Sequence, residues 1–151
     1  MASPTVYGAS YSVYARIVRL ALEEKGVAYG FEEVDIFAED GPPAGYEKRH
    51  PFLKIPAFEH DGFRLYEAGA IARYIDGAFP GPALMPSDLR RRARADQIVG
   101  ILDSYAYRTW VWDIYVERSK PEPDEAKIAE ALPRAATCLA AIEALMEGDA
   151  C

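Results

Sequence analysis

The sequence predicts an α/β unit of order β-α-β, loop, β-β-α, followed by an all-helical region. Three observations carry this prediction. Short apolar runs stand at Thr5-Val6-Tyr7, around Tyr29, Phe31 and Val34, and in "AFEHDGFRLY". Helical periodicity lies between and after them, in "SVYARIVRLALEEKG" and "GAIARYIDGAF". Beyond "PGPALMPSD", a segment with three prolines and one glycine, apolar residues repeat only at helical spacing.

Composition fits this class and argues against others. A chain of 151 residues can hold one ordinary domain, or a compact module with part of a second. Half the residues are hydrophobic and 27% are charged, the balance of a globular chain. The net charge of -7 is spread along the chain, which argues against a nucleic-acid surface. The cluster Arg90, Arg91, Arg92 and Arg94 reads as the solvated face of a helix. No apolar run approaches membrane-spanning length. The start "MASPTVYGAS" has neither the charged nor the apolar part of a secretory signal. Cys138 and Cys151 are far from metal-like spacing, and two cysteines suit a reducing, cytoplasmic compartment. No metal is expected, and His50 and His60 read as ordinary loop and hairpin residues.

The elements follow in order. Thr5-Val6-Tyr7 is a strand ending at Gly8. Ser12 is placed to cap the first helix, whose apolar residues recur at Val13, Ile17, Leu20 and Ala21 until Gly26 stops it. "VAYGFEEVDIF" is the second strand, and the Gly/Pro-rich "AEDGPPAGYEKRH" a loop. "AFEHDGFRLY" is a hairpin turning at Asp61-Gly62. "GAIARYIDGAF" is the second helix. Ser87 can cap a long helix with Leu89, Ile98, Ile101, Leu102, Tyr105, Ala106 and Trp110 on or near one face, and "KPEP" breaks it. In the last segment Leu132, Ala135, Ala136, Leu139, Ile142 and Leu145 have helical spacing, with Pro133 blurring where that helix starts.

One residue conflicts with this reading. Pro56, in "HPFLKIPAF", stands where a strand should begin, and proline has no N–H for a ladder. The β-α-β-loop-β-β-α order with a proline heading the third strand resembles the thioredoxin fold. The stretches "YSVYARIVRLALEEKG", "HPFLKIPAFEHDG" and "LYEAGAIARYID", in this order and spacing, further resemble the cytosolic glutathione transferase family, serine-type and similar to theta or phi bacterial members. The resemblance covers most of residues 5–79 and extends to the all-helical continuation.

The resemblance implies a cis Ile55-Pro56 bond, with the backbone of Ile55 left free to pair with an extended peptide, glutathione. It implies that Ser12, at a helix start, donates a hydrogen bond to the glutathione thiolate; from the residues alone Ser12 is equally an N-cap. Tyr7, at the end of the first strand, is the second candidate for this role and Ser10 the third. Lys54 would meet the glycine carboxylate, Glu67 the α-amino group, and the N–H of Ala68 the α-carboxylate. Ala68 stands where the family usually has serine, and Leu53 where it commonly has glycine. The frame Ser12-Val13-Tyr14-Ala15 has no sulfur, which argues against dithiol exchange. Asp103 reads as a helix-surface acid, although it resembles one that reaches a dimer neighbour's ligand in some classes.

The expected domains are residues 1–79, a thioredoxin-like glutathione-binding domain; 80–87, a linker; and 88–151, a partial helical domain shorter than the family's usual one. The implied activity is conjugation of glutathione, as co-substrate, to a small apolar electrophile by a homodimeric, cytoplasmic enzyme of detoxification. The alternatives are a non-catalytic glutathione-binding or protein-interaction module on the same fold, and a glutathione-dependent peroxidase.

Overall fold

The structure is a computed structural model and describes residues 3–146. The chain divides into two units, one ending at Leu84 and the other beginning at Met85.

The first unit contains β1 (Thr5–Gly8), α1 (Val13–Glu24), β2 (Gly30–Glu33), β3 (Ala57–His60), β4 (Phe63–Tyr66) and α2 (Ala68–Ala78). The four strands form one sheet in the order β2-β1-β3-β4. β1 runs parallel to β2 and antiparallel to β3, and β3 and β4 form an antiparallel hairpin. This is the predicted thioredoxin-like order. Period-two alternation sends neighbouring side chains to opposite faces. Val6 and Phe58 join Val18, Leu22, Ile71 and Ile75 of the two helices in one core. Tyr7 and Ala57 point to the other face, with Val34, Tyr46, Ile36 and Ile55.

Local signals set the boundaries. Gly26 takes φ 69° behind the α1 C-cap Lys25, a left-handed position where the missing Cβ removes the clash. Asp61 and Gly62 both have positive φ, 49° and 79°, as a two-residue turn matching the twist of its strands requires. The second strand is shorter than its apolar pattern predicts. Only Gly30–Glu33 pair with β1, and Val34 N–H bonds the Gly8 carbonyl just beyond the ladder.

The second unit contains α3 (Leu89–Ile101), two π-helical stretches at Leu102–Ala106 and Arg108–Val116, and α4 (Glu125–Met146). Three expectations need correction here. Asp88 rather than Ser87 caps α3, because its carboxylate accepts the Arg91 N–H at 2.9 Å. Leu89 is 79% exposed, and the buried positions of the long helix are Ala106, Thr109, Asp113 and Glu117. The π-turns change the residues per turn, so a 3.6-residue period misplaces the face. On α4, Ile128, Ala131 and Cys138 are buried while Leu132 and Leu139 are about half exposed. The inward side of α4 is thus Ile128, Ala131 and Cys138, with Lys127 and Arg134 at its edge pairing with Glu117 and Asp113 of the preceding helix. Pro133 lies inside α4 and does not break it.

Among the described residues no helix is long and apolar enough to cross a membrane. None of their His, Cys, Asp and Glu side chains group in threes that could hold a metal ion. Cys138 is a free, buried thiol, and Cys151 lies outside the described residues.

Candidate functional site

The sheet register brings the predicted residues to one end of the sheet. Tyr66 pairs with Ala57, Ala57 with Tyr7, and Tyr7 with Glu32, which makes one row across all four strands. Just beyond that row lie Glu67 and Ala68, which follow β4 and begin α2, Ile55 and Pro56, which precede β3, and Gly8, the last residue of β1. Strands lie about 4.8 Å apart, so from β1 across β3 to β4 is about 10 Å, roughly the reach of three extended residues.

Gly8 closes the distance between α1 and β3. A Cβ built on it would stand 2.9 Å from the Ala15 Cβ and 3.9 Å from both the Ile55 Cβ and the Pro56 Cα. Any side chain there would push the first turn of α1 away. Ser12 begins that turn. Its Oγ accepts the Ala15 N–H at 3.3 Å, and its own N–H bonds the Ala9 carbonyl at 3.0 Å. The cap bond uses a lone pair of the hydroxyl, so its proton remains available to donate. The residue is half-buried, at the positive end of the α1 dipole.

The two rivals are held differently. The Tyr7 hydroxyl accepts from Arg49 Nη2 at 3.3 Å, and the guanidinium lies 4.4 Å from the ring centroid. Tyr7 therefore packs toward Arg49 and Tyr46 on the face away from the helices. Ser10 is exposed; its N–H bonds Glu33 Oε1 at 3.0 Å and its carbonyl accepts from Arg16 Nε at 2.9 Å.

The Ile55-Pro56 bond is cis, and Ile55 lies beyond the end of the β1–β3 ladder. The loop before it is anchored from below: the Tyr46 hydroxyl donates to the Lys54 carbonyl at 2.9 Å. Burial pushes the Tyr46 phenol up to about 12, against a smaller opposing effect of Arg49. Leu53 adopts φ 51°, so the glycine-like conformation is kept without glycine. Lys54 is exposed.

Glu67 precedes α2 with φ 70° and ψ 110°, a region that favours glycine. Its side chain makes no capping bond, so the first N–H groups of α2, including that of Ala68, lack a side-chain cap. Such an uncapped helix start can receive a carboxylate. Glu67 itself is exposed and Ala68 buried.

His50 is a loop residue, as expected, but a buried one. It is only 3% exposed, its ring lies 4.8 Å from that of Tyr66, and its Nδ1 is buried without a hydrogen-bond partner among the described residues. Burial lowers its pKa, while Glu67 raises it and Lys54 lowers it by smaller amounts. The ring thus packs beside Tyr66, within electrostatic reach of Glu67 and Lys54. Composition offers no signal for this, since only the fold brings residue 50 under residue 66. His60 is buried too, but at the far end of the hairpin, against Tyr74 and Phe79.

The family profile described as the glutathione S-transferase N-terminal domain matches residues 6–83, just over half of the chain. The chain belongs to the glutathione S-transferase family. Among members of this family, glutathione S-transferase 3 of Glycine max is 34% identical over 100 residues, covering 66% of this chain and 45% of that protein. The theta class glutathione S-transferase of the citrus canker pathogen Xanthomonas axonopodis pv. citri, solved with glutathione bound, is 30% identical with a TM-score of 0.80. That match covers 95% of this chain and 70% of the solved one. Poplar glutathione transferase F1 is 26% identical, also with a TM-score of 0.80, over 95% of this chain and 69% of its own. The chain spans under half the length of the curated glutathione S-transferases it matches.

Proposed function

We propose that this chain binds glutathione at the sheet end described above and conjugates it to a small apolar electrophile. The observation that carries the proposal is Ser12. It is an N-cap whose hydroxyl proton is available to donate, and Gly8 holds its helix against Ile55 and Pro56. In this reading residues 1–79 form the glutathione-binding domain, residues 80–87 a linker, and residues 88–151 a helical domain. The backbone of Ile55, beside Pro56, pairs with the cysteine of an extended tripeptide. Glu67 pairs with its α-ammonium, the N–H of Ala68 binds its α-carboxylate, and Lys54 meets its glycine carboxylate. The relative from Xanthomonas axonopodis pv. citri, solved with glutathione bound, supports the choice of ligand.

The chemistry needs little from the protein. The thiol gives its proton to solvent, and the thiolate that remains is stabilised by the Ser12 O–H and the α1 N-terminus. The sulfur lone pair forms the new S–C bond. In a substitution the leaving group departs with the bonding pair; in an addition the resulting carbanion takes a proton from solvent. Proximity and thiolate stabilisation supply the rate. Placement favours Ser12 over Tyr7: Ser12 stands at the α1 N-terminus, whereas Tyr7 packs on the opposite face of the sheet with Tyr46 and Arg49; Ser10 remains the third candidate. We place the protein, as a homodimer, in a reducing cytoplasmic compartment, which suits the free thiol of Cys138.

Ala68 favours a second reading, a non-catalytic binder. It lacks the hydroxyl of a serine, which is one hydrogen bond worth about 0.5–1.5 kcal/mol. One pair of measurements separates the two readings: retention on immobilised glutathione and turnover of a chloronitroaromatic. Retention with turnover is expected, and Ser12→Ala should lower kcat/KM by roughly ten- to a thousandfold with little change in affinity. Retention without turnover would establish the binder instead. A silent Ser12→Ala beside a damaging Tyr7→Phe would move the thiolate role to Tyr7.

A further inference from the structure

The turn that carries Ser12 is tied on its outer side to β2 and the segment that follows β2. The Tyr11 hydroxyl donates to Asp35 Oδ1 at 2.6 Å, and the same oxygen accepts the Phe37 N–H at 2.9 Å. The Tyr11 and Phe37 rings stack with centroids 6.2 Å apart. One residue earlier, the Ser10 N–H bonds Glu33 Oε1, and before that the Gly8 carbonyl accepts from Val34. Three contacts thus fasten Gly8, Ser10 and Tyr11 to residues 33–35, and Ser12 follows directly.

Tyr11 is 47% exposed and Asp35 is exposed. Water could serve both polar groups equally well, so burial does not require them to pair. The bond is short and charge-assisted, and it lies on the residue adjoining Ser12. We infer that Tyr11 and Asp35 are positioning residues that fix the Ser12 hydroxyl toward the bound thiolate. This deepens the proposed reaction and rests on the role assigned there to Ser12.

The strap should hold across the working pH range. Partial burial, then the Asp35 hydrogen bond and the charges of Asp35 and Glu33, push the Tyr11 phenol up to about 12. The bonds from Tyr11 and from the Phe37 N–H hold the Asp35 carboxyl below the usual range. Neither group changes charge between about pH 5 and 9.

The test uses the full chain with glutathione bound and follows the thiolate by ultraviolet absorbance, alongside steady-state kinetics with a chloronitroaromatic. Tyr11→Phe should raise the pKa of the bound thiol and lower kcat about tenfold, with the KM for glutathione and the melting temperature little changed. The deficit should be constant across that pH range. Asp35→Ala should behave like Tyr11→Phe, and the double variant should be no worse than either. Asp35→Asn, which keeps an acceptor for the phenol and for the Phe37 N–H, should retain most of the parent kcat and thiol pKa. An impaired Ser12→Ala beside a Tyr11→Phe with unchanged thiol pKa and kcat would overturn this inference alone. A silent Ser12→Ala would overturn the reading beneath it and this inference with it.

Discussion

Leu53 and Glu67 are the two non-glycine residues of the candidate site with left-handed φ, 51° and 70°. An L-residue in such a conformation carries strain of about 1–2 kcal/mol, because its Cβ crowds the following carbonyl. The strain falls where the chain must turn sharply, before Pro56 and into α2. For Leu53 this gives an ordered expectation. Leu53→Gly removes the strain but adds unfolded-state freedom and loses a side chain more than half buried, so it should change stability by less than about 1 kcal/mol. Leu53→Val keeps the φ and adds a β-branch, which tolerates it least, and should cost about 1–2 kcal/mol. Urea denaturation of the two variants measures the order. Equal stability of the valine and glycine variants would show that φ here is not strained.

At the scale of elements, the second unit is joined by charge as much as by apolar packing. Glu117, only 3% exposed, accepts from Lys120 and Lys127 at 2.8 Å each and from the Asp124 N–H at 3.3 Å. Asp113, one turn earlier on the same face, pairs with Arg108 and with Arg134 of α4. The bonds from Lys120 and then Lys127 hold the Glu117 carboxyl down at about 2, from an ordinary 4.5. A folded-state pKa below the unfolded one means that the unfolded chain takes up the proton first as pH falls. The stability Glu117 contributes is therefore full above about 4.5 and is lost as pH falls toward about 2. Glu117→Gln should lower the melting temperature by several degrees at neutral pH, and the gap from the parent should close through that acid window. Thermal melts on a pH series decide it. A gap that stays constant down to the bottom of the window would mean the ion pairs contribute nothing.

At the scale of the whole molecule, apolar side chains remain in contact with solvent. Leu89, Tyr105, Tyr115, Leu132, Leu139 and Met146 are each at least half exposed, and all belong to the helical unit. Single exposed apolar residues are ordinary, whereas several that share one surface favour association. The protein should enhance the fluorescence of an apolar-surface dye at neutral pH and associate more at higher concentration. Sedimentation with dye titration measures both. A dark dye and a concentration-independent species would show that these side chains pack in solution.

What the sequence determined by itself is what local chemistry decides. Ser12 before an apolar helical period, Gly26 after it, Asp61-Gly62 between two strands and the Gly/Pro-rich breaks set the order of elements in the first unit. These signals act within a few residues, so they can be read without knowing the fold. The pairing of β3 with β1, the burial of His50 under Tyr66, the Arg49 contact on Tyr7 and the strap from Tyr11 to Asp35 join residues far apart along the chain. The helical unit shows the same limit. Its apolar period points to Leu89 and Leu132, which are exposed, and to Ala106, which is buried, while Asp113 and Glu117 are buried where they meet Arg134 and Lys127 across two helices. A buried carboxylate is stable only when its cations arrive, and only the tertiary structure brings them there.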